Sequence, residues 1–383
     1  KSGVFKVEAK PPLTASPVPR FDLANFDDYL TMGIQTSRGC PFNCEFCDIV
    51  SLFGRVPRYK APEQITQELE ALYRLGWRDT VFISDDNFIG NKEQARAILE
   101  VLIPWSKSHG EPFGFWTQTS VNLGQDRELI DLMTEANFGY VFLGVETPDA
   151  DLLAAAHKYQ NLRNPLDQSL TNIKTNGLSM VASFVIGFDQ EKAGTGDRIV
   201  EFVEANAIPV VMLNLLQPLP NTALWDRLAA AGRLLGAAAD CDSFRLSLSY
   251  RPTRPPEEIV AELVQTMDRL YEPARFLART YRYFLKMRPT RRALARQRGE
   301  SAAGPPPVKA AARTRDFRDL KALAVLLWRN GVRRPHRVQF WRQLWGIYRQ
   351  NPSRLKIYVL CCGLGEDLFA LREEMLRRYA QAG

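Results

Sequence analysis

Between residues 30 and 235, short apolar runs alternate six times with amphipathic helical stretches, and this alternation constrains the fold more than any other feature. The strand-like runs are Met32–Thr36, Thr80–Ser84, Phe113–Thr119, Tyr140–Val145, Val181–Ile186 and Val210–Leu216. The helical stretches are Pro62–Leu75, Lys92–His109, Arg127–Glu135, Leu166–Asn176, Thr195–Asn206 and Ala223–Ala231. The first helix has Pro62 near its start and Gly76 just past its end, which are strong start and stop signals. Strand then helix, repeated, predicts an α/β fold with a parallel sheet and right-handed crossovers. Six such units build either a doubly wound sheet or an incomplete barrel, and periodicity does not choose between them. In both, functional side chains gather at the C-terminal ends of the strands.

Just past the first strand, three cysteines lie in the run Ser37-Arg38-Gly39-Cys40-Pro41-Phe42-Asn43-Cys44-Glu45-Phe46-Cys47, spaced C-x3-C-x2-C. A cubane [4Fe–4S] cluster has four irons, and an electron-transfer ferredoxin gives each its own cysteine. Three thiolates leave one iron open, and an open metal position is where a substrate or cofactor binds. The plainer alternatives are a zinc knuckle and three unrelated thiols. Zinc would need a fourth Cys or His close by, and the nearest histidine is His109. The other cysteines are Cys241 and the adjacent Cys361 and Cys362, which make no disulfide framework in 383 residues. Adjacent cysteines point in different directions, so these three are expected to be buried small hydrophobes rather than ligands of a second cluster.

Polar residues recur at the other strand ends. Asp85-Asp86-Asn87-Phe88 follows the second strand; Thr117, Gln118 and Asn122 the third; Gly144-Val145-Glu146-Thr147 the fourth. The fifth ends in Ile186-Gly187-Phe188, where glycine permits close backbone approach, and the sixth in Gln217-Pro218-Leu219-Pro220-Asn221-Thr222. Taken singly these have plain readings: a helix N-cap, a surface carboxylate, a turn. Taken together, they fall at the same end of successive strands.

The cysteine segment closely resembles the radical S-adenosylmethionine (SAM) enzymes, and the strand-end residues follow in the order that resemblance requires. It implies a partial (β/α)6 barrel of TIM type followed by a mostly helical C-terminal extension. It also implies that Cys40, Cys44 and Cys47 hold a [4Fe–4S] cluster whose open iron binds SAM. Phe46 falls in the slot that contacts the adenine. Asp85, Asp86 and Asn87 stand where the family binds the SAM amino group, often with Gly-Gly-Glu, a sequence replaced here. Gln118 is suited to the SAM carboxylate or a substrate, Glu146 to ribose hydroxyls, and Gly187 to the adenine. Asn221 replaces Gly in the family's Pro-x-Pro-Gly-Thr turn, a mild change because Asn tolerates positive φ. The block Cys40–Val50, the run Asp85–Asn91, Arg333-Arg334-Pro335 and Gln350-Asn351-Pro352 are similar to the cobalamin-linked subgroup that includes hopanoid C-methylases. Those relatives carry an upstream cobalamin domain with an Asp-x-His-x-x-Gly motif. None of His109, His157 and His336 sits in one, so cobalamin is expected only with an N-terminal domain outside this sequence. The resemblance thus implies a C-methyltransferase acting on an unactivated carbon, with a small-molecule or lipid substrate and an electron donor such as flavodoxin or ferredoxin. Other radical SAM outcomes (methylthiotransfer, cyclisation, epimerisation) and a non-enzymatic iron–sulfur carrier are the alternatives.

Charge divides the chain. Residues 1–250 carry a net −9 and residues 251–383 a net +16, giving +7 in all. The expected organisation is a linker remnant over 1–30, a core over 31–250, a helical extension over 251–290, a linker over 291–315 and a basic, aromatic helical region over 316–383. Pro256–Leu285 reads as one long helix; Phe317–Trp328, Arg337–Tyr348 and Pro352–Tyr379 read as three more. Their Trp and Arg side chains suit either a helical bundle with aromatics in its core, the plainer reading, or a membrane interface. Nucleic acid is the less favoured partner, since no recognition module is present. No run approaches the roughly 20 apolar residues of a membrane span and no leader opens the chain. The expected location is cytoplasmic, with peripheral contact at the inner membrane face if the tail meets a bilayer.

Overall fold

The computed structural model describes residues 10–235, 246–299 and 314–382, with the side chains of 314–319 and 382 excepted. Six strands form one parallel sheet: β1 (Met32–Ile34), β2 (Thr80–Ile83), β3 (Gly114–Thr119), β4 (Phe138–Glu146), β5 (Ser179–Ile186) and β6 (Val210–Leu215). Their order in the sheet follows their order in the chain. A doubly wound sheet reverses direction at a switch point; this one never does, so it curls as a partial barrel. Helices α1 (Pro62–Arg74), α2 (Lys92–Ser108), α3 (Arg127–Glu135), α4 (Leu166–Thr175), α5 (Thr195–Asn206) and α6 (Ala223–Ala230) follow the successive strands.

Side chains alternate across each strand. Val81 and Ile83, Phe115 and Thr117, and Val141 and Leu143 are buried beneath the helices. Their neighbours on the concave face are only half-buried, and three of them stack across adjacent strands. Phe82, Trp116 and Tyr140 are in register, with ring centroids 3.8 Å and 5.0 Å apart. The barrel therefore has an aromatic inner wall.

The helical remainder packs as a layer against this barrel. The stretch expected as one helix over Pro256–Leu285 is two, α7 (Pro256–Leu270) and α8 (Pro273–Lys286). The break has a local cause: Pro273 lacks an N–H, and Glu272 caps the second helix through the amides of Ala274 (3.1 Å) and Arg275 (2.8 Å). Arg279 of α8 is fully buried, donating to the Ile208 carbonyl (2.6 Å), the Leu270 carbonyl (2.9 Å) and the Glu204 carboxylate (2.8 Å). A buried guanidinium this well satisfied clamps the layer to the approach to β6.

The expected linker over 291–315 opens instead with a short helix, Arg291–Gln297, capped by Thr290 and held by Arg291 and Arg292 on the buried Glu111. The Gly304–Pro307 run lies outside the described residues, as does Cys241. Helices α9 (Thr314–Trp328), α10 (Arg337–Gln350) and α11 (Leu355–Ala382) complete the layer. Phe369 of α11 meets Phe276 of α8 edge-on at 5.4 Å, and Asn351 ties to the Phe284 and Met287 carbonyls at 2.9 Å and 2.8 Å. Cys362 is buried and Cys361 partly so. The plainer reading of the tail fails in one respect: Trp328, Trp341, Trp345 and Tyr348 are not core but 46–61% exposed.

Candidate functional site

The cysteine segment, residues 39–57, is a loop closed at its base by a two-stranded antiparallel ribbon, Ser37–Arg38 against Arg58–Tyr59. Gly39 enters it at φ +104°, and a Cβ there would stand 2.9 Å from the Gly54 carbonyl oxygen, so only glycine fits without distortion. Asp85, at the tip of β2, is fully buried behind the loop. It accepts from the Thr36 and Ser37 amides (2.7 and 2.9 Å), the Ser37 hydroxyl (2.7 Å) and the Thr36 hydroxyl. Its oxygens are thus committed to holding the loop base rather than turned to the opening. Asp86 accepts from the Gly39 amide at 2.8 Å. At the far side, the Glu45 amide donates to the Ala156 carbonyl (3.1 Å), and the Glu45 carbonyl accepts from the Leu224 amide (2.8 Å). The loop is therefore strapped across the strand ends from β2 to β6.

The three cysteines lie half-buried in this loop and feel one another. Burial pushes the Cys47 thiol up to about 11, with the charges of Cys44 and Cys40 adding to the rise. Burial also raises Cys40; the Phe42 amide and the Asn87 side chain partly offset it, and Cys44 adds repulsion. A bound metal centre would offset this cost by drawing the protons off the thiols it binds. Among the described residues no three His, Cys, Asp or Glu side chains close around a single ion. A cubane would take each cysteine on a separate iron.

A second set of residues completes the wall. At the end of β4 the pairing with β5 slips between Gly144 and Glu146, and Glu146 takes φ +65°, an unusual conformation for a non-glycine residue. This bulge turns its carboxylate onto Lys158, and both side chains are more than nine-tenths buried. Burial alone would lower the Lys158 pKa; Glu146, Cys44 and Cys47 outweigh it and hold the ammonium above its ordinary value. The pair lies over Gly144, where a Cβ would stand 2.3 Å from Glu146 Oε1 and 2.7 Å from Lys158 Nζ, so a side chain there would push the pair aside. Lys158 also lies 5.7 Å from the centre of the Phe46 ring, and Phe46 packs edge-on against Phe188 at 5.9 Å. Gln160 points its amide at Cys44 Sγ (3.5 Å), and Asn161 donates to the Gly144 and Val145 carbonyls, both at 3.1 Å.

Gly187 ends β5 at φ +107°; its amide donates to Glu191 (3.0 Å) and its carbonyl accepts from the buried Tyr250 hydroxyl. Asn221 does take positive φ, +66°, in the turn before α6. Gln118 sits on the half-buried concave face, one strand position above Trp116 in the same alternation. Thr117 faces the other way, its hydroxyl spent on the Ile83 carbonyl (2.8 Å). Asn122 accepts from Ser120, which also accepts from the Asn87 amide at 3.2 Å. The buried side-chain oxygens of Asn87 and Asn161 have no hydrogen-bond partner, so each retains an acceptor for a bound polar group.

The structure thus brings Cys40, Cys44, Cys47, Phe46, Asn87, Glu146 and Gly187 to one end of the barrel and keeps Asp85 behind it. Sequence reasoning missed Lys158, Gln160 and Asn161. They follow a short helix, Ala150–Ala155, rather than a strand tip. Their one signal was a polar run, His157-Lys158-Tyr159-Gln160-Asn161, after an Ala-rich stretch.

The sequence profile of the radical SAM superfamily matches residues 34–203, and that of a domain of unknown function, DUF4070, matches residues 222–381. An uncharacterized methyltransferase of Synechocystis sp. is 45% identical over 99% of this chain and 69% of its own length. The hopanoid C-2 methylase of Rhodopseudomonas palustris is 34% identical over 99% of this chain and 68% of its own. Among solved structures, the radical SAM methyltransferase TsrM from Kitasatospora setae, with cobalamin and a [4Fe–4S] cluster bound, superposes with a TM-score of 0.51 at 14% identity. The match covers 92% of this chain and 61% of TsrM. The cobalamin-dependent SAM radical enzyme OxsB gives the same TM-score, covering 98% of this chain and 58% of its own. At such identity these two structures speak to the fold alone, and this chain spans about three-fifths of their length.

Proposed function

The chain belongs to the radical SAM superfamily, and we propose that it is the catalytic portion of a cobalamin-dependent C-methyltransferase acting on an unactivated carbon of an apolar, polycyclic or lipid-like substrate. The observation that carries this is the three-thiol loop strapped over the barrel mouth, with a buried Lys158–Glu146 pair beside it. Cys40, Cys44 and Cys47 would hold the cluster, leaving one iron for SAM. The chemistry such a cluster would supply is one electron for reductive cleavage of the S–C5′ bond of SAM, which would leave methionine and a 5′-deoxyadenosyl radical.

This chain's own residues bind and enclose. Asn87 and Asn161 offer acceptors for the amino group and hydroxyls of SAM, and Glu146, held in place by Lys158, faces the ribose. Phe46 and the Gly187 backbone flank the adenine. Gln118 stands on the concave wall, where the Phe82–Trp116–Tyr140 stack offers a hydrocarbon surface that excludes water from the reacting carbon. The methyl group would come from cobalamin held by a segment outside this sequence, and the electron from a reduced flavodoxin or ferredoxin. The relatives named as methyltransferase and hopanoid methylase support both the reaction and the substrate class. Anaerobic reconstitution with iron and sulfide, reduction, and chromatographic detection of 5′-deoxyadenosine tests the reading. A fully loaded, reduced protein that forms none overturns it.

A further inference from the structure

We propose that the outer face of helix α10 docks on an anionic lipid bilayer. Val338, Trp341, Trp345 and Tyr348 recur at helical spacing on one face, and Val338 is 72% exposed. Arg342 and Arg349 lie on that same face, and the Arg349 guanidinium sits 5.9 Å from the centre of the Trp345 ring. The opposite face is the one that folds the helix in. Phe340 and Ile347 are fully buried, Gly346 fits against the Tyr281 ring, and Gln339 donates to the Ala274 carbonyl at 2.9 Å. Trp345 and Tyr348 are therefore not needed to hold α10 in place.

The patch extends past α10. Trp341 donates to the Gly331 carbonyl at 2.9 Å and packs on the turn between α9 and α10, where Val332 is also exposed.

Charge selects the occupant. From Leu320 to Gly365 the chain carries nine Lys and Arg side chains and no Asp or Glu. Arg329 and Arg334 pair with Glu366, whereas Arg342 and Arg349 stay with the aromatic stripe. A protein partner or a second copy of this face would have to answer Arg342 and Arg349 on a helix that carries no carboxylate; two such faces would repel. An anionic headgroup layer answers it everywhere, with Trp and Tyr seated at the boundary and arginine heads reaching the phosphates. Among the described residues no helix is long and apolar enough to cross a membrane, so the contact is one that lies on the surface. Nothing about this face depends on the reaction proposed above.

Flotation with phosphatidylcholine vesicles, with and without phosphatidylglycerol, tests it without any cluster or substrate. The protein floats with the anionic vesicles at low salt and stays below with the neutral ones. R342Q/R349Q weakens that partitioning by about thirtyfold, and W345A/Y348A by about tenfold or more, each with an unchanged circular dichroism spectrum. Protein that remains soluble with anionic vesicles at low salt, or partitions equally in both variants, overturns the proposal. So does light scattering that finds a dimer which W345A/Y348A separates. A protein that makes 5′-deoxyadenosine yet fails to float refutes this inference and leaves the proposed reaction standing.

Discussion

The barrel mouth and helix α10 use basic and aromatic side chains in opposite ways. At the mouth, Lys158 and Phe46 are packed inward, with Glu146 and the cysteine thiols beside them. On α10, arginines and tryptophans face solvent with no carboxylate on the helix. A buried cation must be paired within the fold, because desolvation costs it several kcal/mol otherwise. An exposed one without a counter-charge is available to something outside. The first arrangement describes an internal site and the second an external surface.

The largest effect should follow from C44A, which would take one of the three proposed cluster ligands. Iron content of the reconstituted protein should fall and 5′-deoxyadenosine formation should vanish, while the circular dichroism of the barrel is kept. Retained product would break the assignment of the mouth as a cluster site.

Next, K158M leaves Glu146 buried without its partner. A loss of about 3–5 kcal/mol in urea unfolding at neutral pH is expected. Loss below about 1 kcal/mol would mean that the pair is not an internal one.

A third effect lies at the joint between the two regions. Glu191 holds the Gly187 amide and faces Arg254 and Glu262 from the start of the helical layer. Burial, its largest influence, lifts its pKa to about 7. The folded state then binds more protons than the unfolded state between the ordinary value of 4.5 and about 7, so stability falls as pH rises through that window. E191Q should flatten this fall, which amounts to roughly 3 kcal/mol at most. Unfolding free energies at pH 5 and pH 7.5 would show it, and an unchanged slope in the variant would rule out Glu191 as its source.

The smallest effect separates the two faces of α10. W345A should change stability by less than about 0.5 kcal/mol, against about 3–5 kcal/mol for F340A on the buried side. Equal losses would show that the aromatic stripe is core after all.

Much of the barrel was legible because each strand is an apolar run bounded by polar or glycine residues, and the observed ends fall within a few residues of those expected. The ribbon Ser37–Arg38/Arg58–Tyr59 was not, since two polar residues a side carry no periodic signal. The α7–α8 break was hidden by apolar spacing that runs on across it, although Pro273 marked the second start. At the site, the cysteines and Glu146 followed from motif and strand position. The commitment of Asp85 to Thr36 and Ser37 depends on a contact between residues some 48–49 positions apart, which no local pattern encodes. Lys158 was missed for the same reason, as its partner and the thiols meet it only in the folded chain. The aromatics of α10 were legible as a stripe, but which way the stripe faces is decided by Tyr281 and Ala274 on α8.

The central claim is that three thiols leave one iron free for SAM. Electron paramagnetic resonance of the anaerobically reconstituted, reduced protein tests it most directly. A [4Fe–4S]⁺ signal whose shape shifts when SAM is added is the expected result. A signal of full intensity that is identical with and without SAM would contradict it.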